Sequence, residues 1–298
     1  MSMTYFHKLA SMWWLRILTL LSVSAVILGP IRHLLIRQDY SIISIYPVLL
    51  MESGIVCLTV LIISIIIESL RKEGKWFTVG LMPGKWMLED IGLGLFINLG
   101  VFFIILFIAL IFNTFSSEFI TFNSGYFVTV SLLLLIEAVF EELMFRGIIF
   151  QALLERFGII VSVSLTSILF ATGHLFNSYV SVFAFLNIIL AGLMFSAMYI
   201  KTYSLWLPIS FHFFWNWGQA ILGSRVSGID FSITIINIDW LNLPAWFFGG
   251  SFGLEGGILA TIFIIISTII SLKYSNVSPY LASILFKRRY AESMLMSN

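Results

Sequence analysis

Long runs of apolar residues alternate with short polar segments along most of the chain. A helix that spans a bilayer needs about 20 mostly apolar residues. Eight stretches approach this length, and we interpret them as membrane spans: Trp13–Gly29, Ile45–Ile67, Ile91–Phe112, Tyr126–Glu155, Ile159–Phe176, Val180–Ile200, Leu205–Leu222 and Leu254–Leu272. The pattern therefore predicts an all-α, polytopic membrane protein of about eight transmembrane helices. Arg16 interrupts the first span, which we read as a retained helix because no clear signal-peptide cleavage site follows it.

Composition narrows the class of protein further. Hydrophobic residues make up 60% of the 298 residues and charged residues 10%, with a mean hydropathy of +1.04. Soluble domains contain about 45–50% apolar and about 25% charged residues. These values exclude a soluble enzyme and a disordered regulator, and the net charge of +1 gives no basic patch for nucleic acid. We expect one integral-membrane domain over residues 1–298, with the lipid bilayer as a partner and no nucleic acid or nucleotide.

The distribution of positive charge predicts the orientation of the spans. If the N-terminus is inside, eleven loop and tail cations lie in the cytoplasm: Lys8, Arg71, Lys72, Lys75, Lys85, Arg156, Lys201, Lys273, Lys287, Arg288 and Arg289. Three lie outside: Arg32, Arg37 and Arg225. An even number of spans then places both termini in the cytoplasm, as in a multi-pass protein of the cell membrane.

The fourth predicted span carries an unusual group of charges: Glu137, Glu141, Glu142 and Arg146. Ionisable side chains are expensive in hydrocarbon and commonly mark functional sites. Glu142 and Arg146 are four residues apart, on one helix face and in the favourable order for an ion pair. The pair can be purely structural, with Glu141 as a spare acid. Alternatively, Arg146 fixes Glu142 and leaves Glu141 available as a general base. Glu137 receives no role.

Two later spans carry the remaining polar candidates. His174 lies in the fifth span, and His212 and Asn216 share one helix face in the seventh. Each of these side chains can simply join helices through hydrogen bonds. Two neutral donors on one face are also typical of a site that stabilises an oxyanion.

Simple helix geometry brings these groups to one depth. Glu141 and His174 each lie roughly 24 Å from a turn predicted at residues 157–158, since a helix rises 1.5 Å per residue. His212 and Asn216 lie roughly 16 and 22 Å above the inner end of the seventh span. The sequence therefore predicts a catalytic cavity between spans 4, 5 and 7, within a core of residues 126–222.

Three motifs occur in order: Glu-Glu-x-x-x-Arg at 141–146, Phe-x-x-x-His at 170–174 and His-x-x-x-Asn at 212–216. Together they resemble the motif set of the CPBP family, which comprises CAAX-prenyl-protease and bacteriocin-processing endopeptidases and is also called the Abi family. The resemblance covers roughly Tyr126–Leu222. It implies a glutamate-dependent, non-metal intramembrane peptidase of eight helices that needs no cofactor and cuts a membrane-associated peptide or protein.

The resemblance also implies a role for each motif residue. Glu141 and His174 would activate a water molecule for attack on the peptide carbonyl. His212 and Asn216 would stabilise the tetrahedral oxyanion, and Arg146 would support the site through Glu142.

Three alternatives remain open at this stage. A zinc peptidase could take its ligands from the histidines and glutamates, although the sequence contains no His-Glu-x-x-His helix. A non-catalytic immunity or regulatory protein could bind a peptide or a sensor kinase. A transporter could relay protons through the same groups, but the chain shows no internal repeat. The glycine-rich run 249–257 follows no strand, so we expect close helix packing there rather than a phosphate site.

Overall fold

The computed structural model describes residues 9–22, 42–71, 79–115, 122–231, 233–240 and 243–274. Within these ranges the chain forms helices, turns and isolated bridges, without a strand, which confirms the all-helical prediction. The α-helices are α1 (13–22), α2 (Ile42–Ser69), α3 (Lys85–Ile111), α4 (Ser124–Glu142), α5 (Gln151–Thr172), α6 (Val182–Thr202), α7 (Trp206–Ile221), α8 (Ala245–Phe248) and α9 (Ile258–Lys273). A π-helix over Leu143–Phe150 joins α4 to α5, and short 3₁₀ turns over Gly250–Phe252 and Leu254–Gly256 precede α9.

Three of the described helices are long and apolar enough to cross a membrane: Tyr46–Ser69, Lys85–Ile111 and Val182–Thr202. They correspond to the second, third and sixth predicted spans, and α9 is a shorter apolar helix. Helix α3 begins at Lys85, before the predicted start of the third span at Ile91. Residues 23–29 of the first predicted span, both termini and the cations of 30–37, 72–78 and 275–298 lie outside the described ranges. The total of eight spans therefore stays a prediction.

The helix surfaces carry the signature of a lipid environment. On α3, Phe96 and Phe103 are 74% and 71% exposed, whereas Asp90 and Asn98 are buried. The Asn98 amide donates hydrogen bonds to the carbonyl of Gly94 and to a carbonyl of α7. A helix in water would bury its phenyl rings and expose its polar groups. The reversed arrangement suits hydrocarbon, because lipid tails are as apolar as the rings.

The chain makes a hairpin at Gly158, as the sequence predicts. Gly158 has φ 76° and ψ 178°, which breaks α5 into a part that continues from the π-helix and a part that returns. The rings of Phe145 and Phe170, one on each arm, have centroids 5.2 Å apart. Glycine adopts positive φ without a steric penalty, so this residue permits the reversal.

A buried ion network lies at the Gly158 end of the bundle. Arg16 donates to Glu68 at 2.9 Å and to Glu155 at 2.8 Å. Arg71 contacts the same two carboxylates at 3.0 and 2.8 Å. Arg16, the charge within the first predicted span, thus links α1 to α2 and to the first part of α5. Alternating charges allow each buried group to face its opposite.

The segment that follows α7 closes the opposite end of the bundle. The hydroxyls of Tyr46 on α2 and Tyr126 on α4 donate to the carbonyls of Asp230 and Phe231, at 2.9 Å each. The Asn177 amide, in the turn after α5, donates to a carbonyl of the same segment. This segment therefore holds the start of α2, the start of α4 and the turn that follows α5.

The glycine-rich run packs closely, both against itself and against the segment that follows α7. Gly253 has φ 100°, and a Cβ there would overlap the carbonyl oxygen of Arg225. A Cβ at Gly249 would overlap the carbonyl oxygen of Gly253. The run forms compact turns that place Glu255 beside α7, as the site below shows.

Candidate active site

The predicted ion pair lies at the junction of α4 and the π-helix. Glu142 is the last residue of α4, and Arg146 lies within the π-helix. Arg146 Nη1 is 3.0 Å from Glu142 Oε1, and both side chains are fully buried. The structure confirms this pair. It also shows that Arg146 lies in a π-helix, which the sequence pattern did not predict. Short π-helical segments are frequent at functional sites.

Arg146 connects two further helices, α5 and α6, to the pair. Its Nη2 donates to the carbonyl of Gly192 on α6 at 3.2 Å. Its guanidinium carbon lies 4.6 Å from the ring centroid of Phe170 and 4.9 Å from that of Phe195. Such cation–π contacts are strongest when both groups are shielded from water. Arg146 thus holds α4, α5 and α6 together at the level of the glutamates.

His212 on α7 reaches both glutamates of the motif. Its Nδ1 lies 3.0 Å from Glu142 Oε1, and its Nε2 lies 3.8 Å from Glu141 Oε2. Its ring stacks on Phe195, with centroids 5.0 Å apart. A carboxylate paired with arginine accepts hydrogen bonds and does not donate them, so Nδ1 carries the proton that points to Glu142. Glu142 therefore orients His212 as well as pairing with Arg146.

His174 lies outside a regular helix, which corrects its predicted place within the fifth span. Helix α5 ends at Thr172, and His174 occupies the turn that follows. Its Nδ1 is 3.0 Å from the carbonyl oxygen of Phe170. A carbonyl oxygen only accepts, so Nδ1 is the donor in this contact. The neutral ring then presents Nε2 as an acceptor, the state that a base requires.

His174, His212 and Asn216 line one cavity with about 540 Å³ of empty space, open on one side. Asn216 forms no hydrogen bond with the described residues, and its side chain is partly exposed. The remaining wall is mainly apolar and includes Phe170, Ile188, Met194, Phe195, Phe263 and Ile264. Mainly apolar walls with a few placed polar groups are typical of ligand-binding sites. The lining therefore suits an apolar group held beside a few polar side chains.

Glu141 reaches this group of side chains through His212. Its side chain is 23% exposed, and its buried Oε2 accepts no hydrogen bond from the described residues. Glu141 and His174 form no direct contact with each other. Glu141 therefore presents a carboxylate oxygen that no donor of the described residues occupies.

Glu137, the acid without a predicted role, lies away from these groups. It accepts a hydrogen bond from the Ser53 hydroxyl, which links α4 to α2. This contact assigns it to helix packing.

Three polar residues of the cavity escaped the sequence analysis: Asn187, Ser227 and Glu255. Asn187 is a polar side chain within the apolar sixth span, and this signal was available. Glu255 lies in the glycine-rich run, which we interpreted only as a packing element. Ser227 lies in an irregular segment, where no local pattern marks it.

The described residues contain no group of three or more His, Cys, Asp or Glu side chains that could hold a metal ion. A catalytic zinc site uses three protein ligands. The chelator experiment described below distinguishes a metal-dependent peptidase from a glutamate-dependent one.

Comparison with known proteins adds one finding. Residues 123–218 match the family model described as type II CAAX prenyl endopeptidase Rce1-like. This match confirms the resemblance inferred from the three motifs. The matched residues begin at Asn123, the N-cap of α4, and continue into α7. No curated protein and no solved structure gives a match to the chain.

Proposed function

We propose that this protein is an intramembrane endopeptidase that hydrolyses a peptide bond of a membrane-associated peptide or protein. One observation carries the proposal: His212 contacts Glu141 and shares a cavity with His174 and Asn216, within residues that match a CAAX-type endopeptidase family. An activated water and two oxyanion donors are what peptide hydrolysis needs.

In the proposed mechanism, a water molecule lies between Glu141 and His174. Glu141 takes one proton as the water oxygen attacks the carbonyl carbon, and His174 accepts a hydrogen bond from the second proton through Nε2. A bridging water explains why the two side chains need no direct contact. When the tetrahedral intermediate collapses, the C–N bond breaks and Glu141 returns its proton to the leaving amine.

The oxyanion is stabilised by His212 and Asn216. Asn216 supports this role because its amide has no partner among the described residues and lines the cavity. His212 donates through Nε2 as the imidazolium, in which both ring nitrogens carry a proton, while Glu142 accepts the hydrogen bond from Nδ1. Donors that are fixed before the reaction stabilise developing charge strongly in a site that excludes water. The Glu142–Arg146 pair positions His212 and does not touch the substrate.

The proposed enzyme crosses the cell membrane eight times, with both termini in the cytoplasm. The contacts at the bundle ends support alternating helix directions. Arg71 meets Glu155 at the Gly158 end, where the Leu205 amide also bonds the carbonyl of Gly80. Arg225 lies in the segment that closes the opposite end, in agreement with the predicted outer loop.

The test uses purified protein in detergent and a quenched-fluorescence peptide library, with products identified by mass spectrometry. The Glu141→Gln variant, purified in the same way, gives the background. Parent protein should cut internal peptide bonds at the same rate with and without a chelator, and Glu141→Gln should not.

Each other outcome would reject part of the proposal. Loss of cleavage with the chelator, together with recovery on adding a stoichiometric metal, would favour the zinc alternative. Cleavage of terminal residues alone would exclude an endopeptidase. Full function of Glu141→Gln in cells would favour the non-catalytic alternative.

A further inference from the structure

Glu255 is a carboxylate in the wall of the same cavity that the proposed chemistry does not use. Its Oε1 accepts hydrogen bonds from the indole of Trp215 at 3.0 Å and from the amide of Gln219 at 3.1 Å. Its Oε2 accepts from the Ser227 hydroxyl at 2.5 Å. All three partners are donors, an arrangement that suits an ionised carboxylate.

The partners of this carboxylate within the described part of the chain are all neutral. Among the described residues, no lysine, arginine or histidine forms an ion pair with Glu255. Arg225, on the nearby segment, instead donates to the carbonyl of Ser251 and stacks on the ring of Tyr179. A carboxylate accepts about four hydrogen bonds, and three are filled by neutral donors. Glu255 lines a largely apolar cavity, where a cation is the best complement of a carboxylate.

The backbone around Glu255 is also firmly held. The Asn187 amide donates to the carbonyls of Glu255 and Gly257, at 2.8 and 3.0 Å. The Thr261 hydroxyl in turn donates to the side-chain Oδ1 of Asn187 at 2.7 Å. The carboxylate is thus presented from a rigid support, as a group that selects a ligand must be.

The position along α7 sets the distance from the reacting groups. Trp215 and Gln219, which hold Glu255, lie three and seven residues after His212. At 1.5 Å per residue, the carboxylate sits on the order of 5–10 Å along the helix from the imidazole. An extended peptide covers about 3.3 Å per residue, so this separation corresponds to two or three residues of substrate.

We infer that Glu255 is a specificity residue, which binds a cationic group of the substrate two or three residues from the scissile bond. The cation is a lysine or arginine side chain or a free N-terminal amine. The inference rests on the proposed function for the place of the scissile bond, whereas binding of the cation does not require cleavage.

The experiment measures binding separately from cleavage. The protein is the full chain with Glu141→Gln in detergent micelles, and the probes are dye-labelled nonapeptides of alanine and leucine. Each probe carries one lysine, moved through the positions in turn, or norleucine, which has a similar shape without the charge. Acetylated and free N-termini separate side-chain cations from the terminal amine. Affinity is read by fluorescence anisotropy.

The variant Glu255→Gln removes the charge and keeps an acceptor for Trp215 and Gln219. Glu89→Gln, at an exposed carboxylate at the start of α3, is the matched control. We expect cationic probes to bind about 10- to 100-fold more tightly than neutral probes, as for hydrogen bonds to charged groups. Glu255→Gln should abolish this preference and leave neutral probes unchanged, and Glu89→Gln should have no effect.

Two results would overturn the inference. The first is equal affinity of the Glu141→Gln protein for lysine and norleucine probes. This result would overturn the inference even if the Glu255→Gln variant failed to fold. A uniform loss of affinity for all probes in Glu255→Gln would assign the residue to packing. Failure of the proposed function is a different result: cation preference in binding without cleavage of any peptide by the parent protein.

Discussion

The substitution Arg146→Ala tests how the site is supported. It removes the ion pair with Glu142, the hydrogen bond to the Gly192 carbonyl and the contacts with two phenyl rings. Glu142 would then remain fully buried, with His212 Nδ1 still 3.0 Å away as its neighbour. Removal of one partner of a buried ion pair costs about 3–5 kcal/mol. We therefore expect the free energy of unfolding to fall by about 3–5 kcal/mol.

The measurement is an SDS titration in mixed micelles, followed by tryptophan fluorescence, since the chain has nine tryptophans. Arg156→Ala is the matched control, because Arg156 is exposed and its guanidinium lies 5.9 Å from the ring of Phe157, with no ion pair among the described residues. It should change the free energy of unfolding by no more than about 0.5 kcal/mol.

A double-mutant cycle separates the pair from the packing around it. Adding Glu142→Gln to Arg146→Ala removes the stranded charge, so the double variant should be more stable than Arg146→Ala alone, with a coupling energy of about 0.5–3 kcal/mol. Equal unfolding free energies for Arg146→Ala and Arg156→Ala would refute a structural role for Arg146. Additive effects in the cycle would refute the pairing argument.

Three further predictions use the same preparations. Asn216→Ala should lower kcat by about 10²–10³-fold with little change in KM, because one oxyanion donor is lost; a changed KM with constant kcat would point to substrate binding instead. Gly158→Ala should lower the unfolding free energy by about 1–2 kcal/mol, because a side chain is strained at positive φ, whereas Gly54→Ala, which meets open space, should not lower it. Glu68→Gln should destabilise by about 3 kcal/mol, since two buried arginines lose a shared carboxylate; parent-like stability would show that the network is dispensable.

Local features of the site were predictable from the sequence, and long-range ones were not. The Glu142–Arg146 pair follows from a spacing of four residues, and the hairpin from a glycine between two apolar runs. The contact between Glu142 and His212 joins residues 70 positions apart, so no periodicity reports it. The partners of Arg16 lie 52 and 139 positions away, and Arg16 alone looked like a defect in a span.

The pattern of apolar and polar residues also did not predict where helices end or which helices are π-helices. His174 follows an apolar run closely enough to look helical, yet α5 ends two residues before it. The π-helix at Leu143–Phe150 has the same apolar composition as an α-helix. Glu255 was missed because glycines around it suggested only packing, whereas their turns fold the carboxylate towards the cavity.

The central claim is that one glutamate of the fourth span, Glu141, performs the chemistry. The most direct test compares Glu141→Gln with Glu137→Gln, one helical turn earlier, on the same cleavable peptide. Both variants remove one carboxylate from the same helix, but Glu137 bonds to Ser53 on α2, whereas Glu141 faces His212. We expect kcat of Glu137→Gln to stay within a few-fold of the parent value, and we expect Glu141→Gln to lose cleavage. Equal rates for Glu141→Gln and the parent would contradict it.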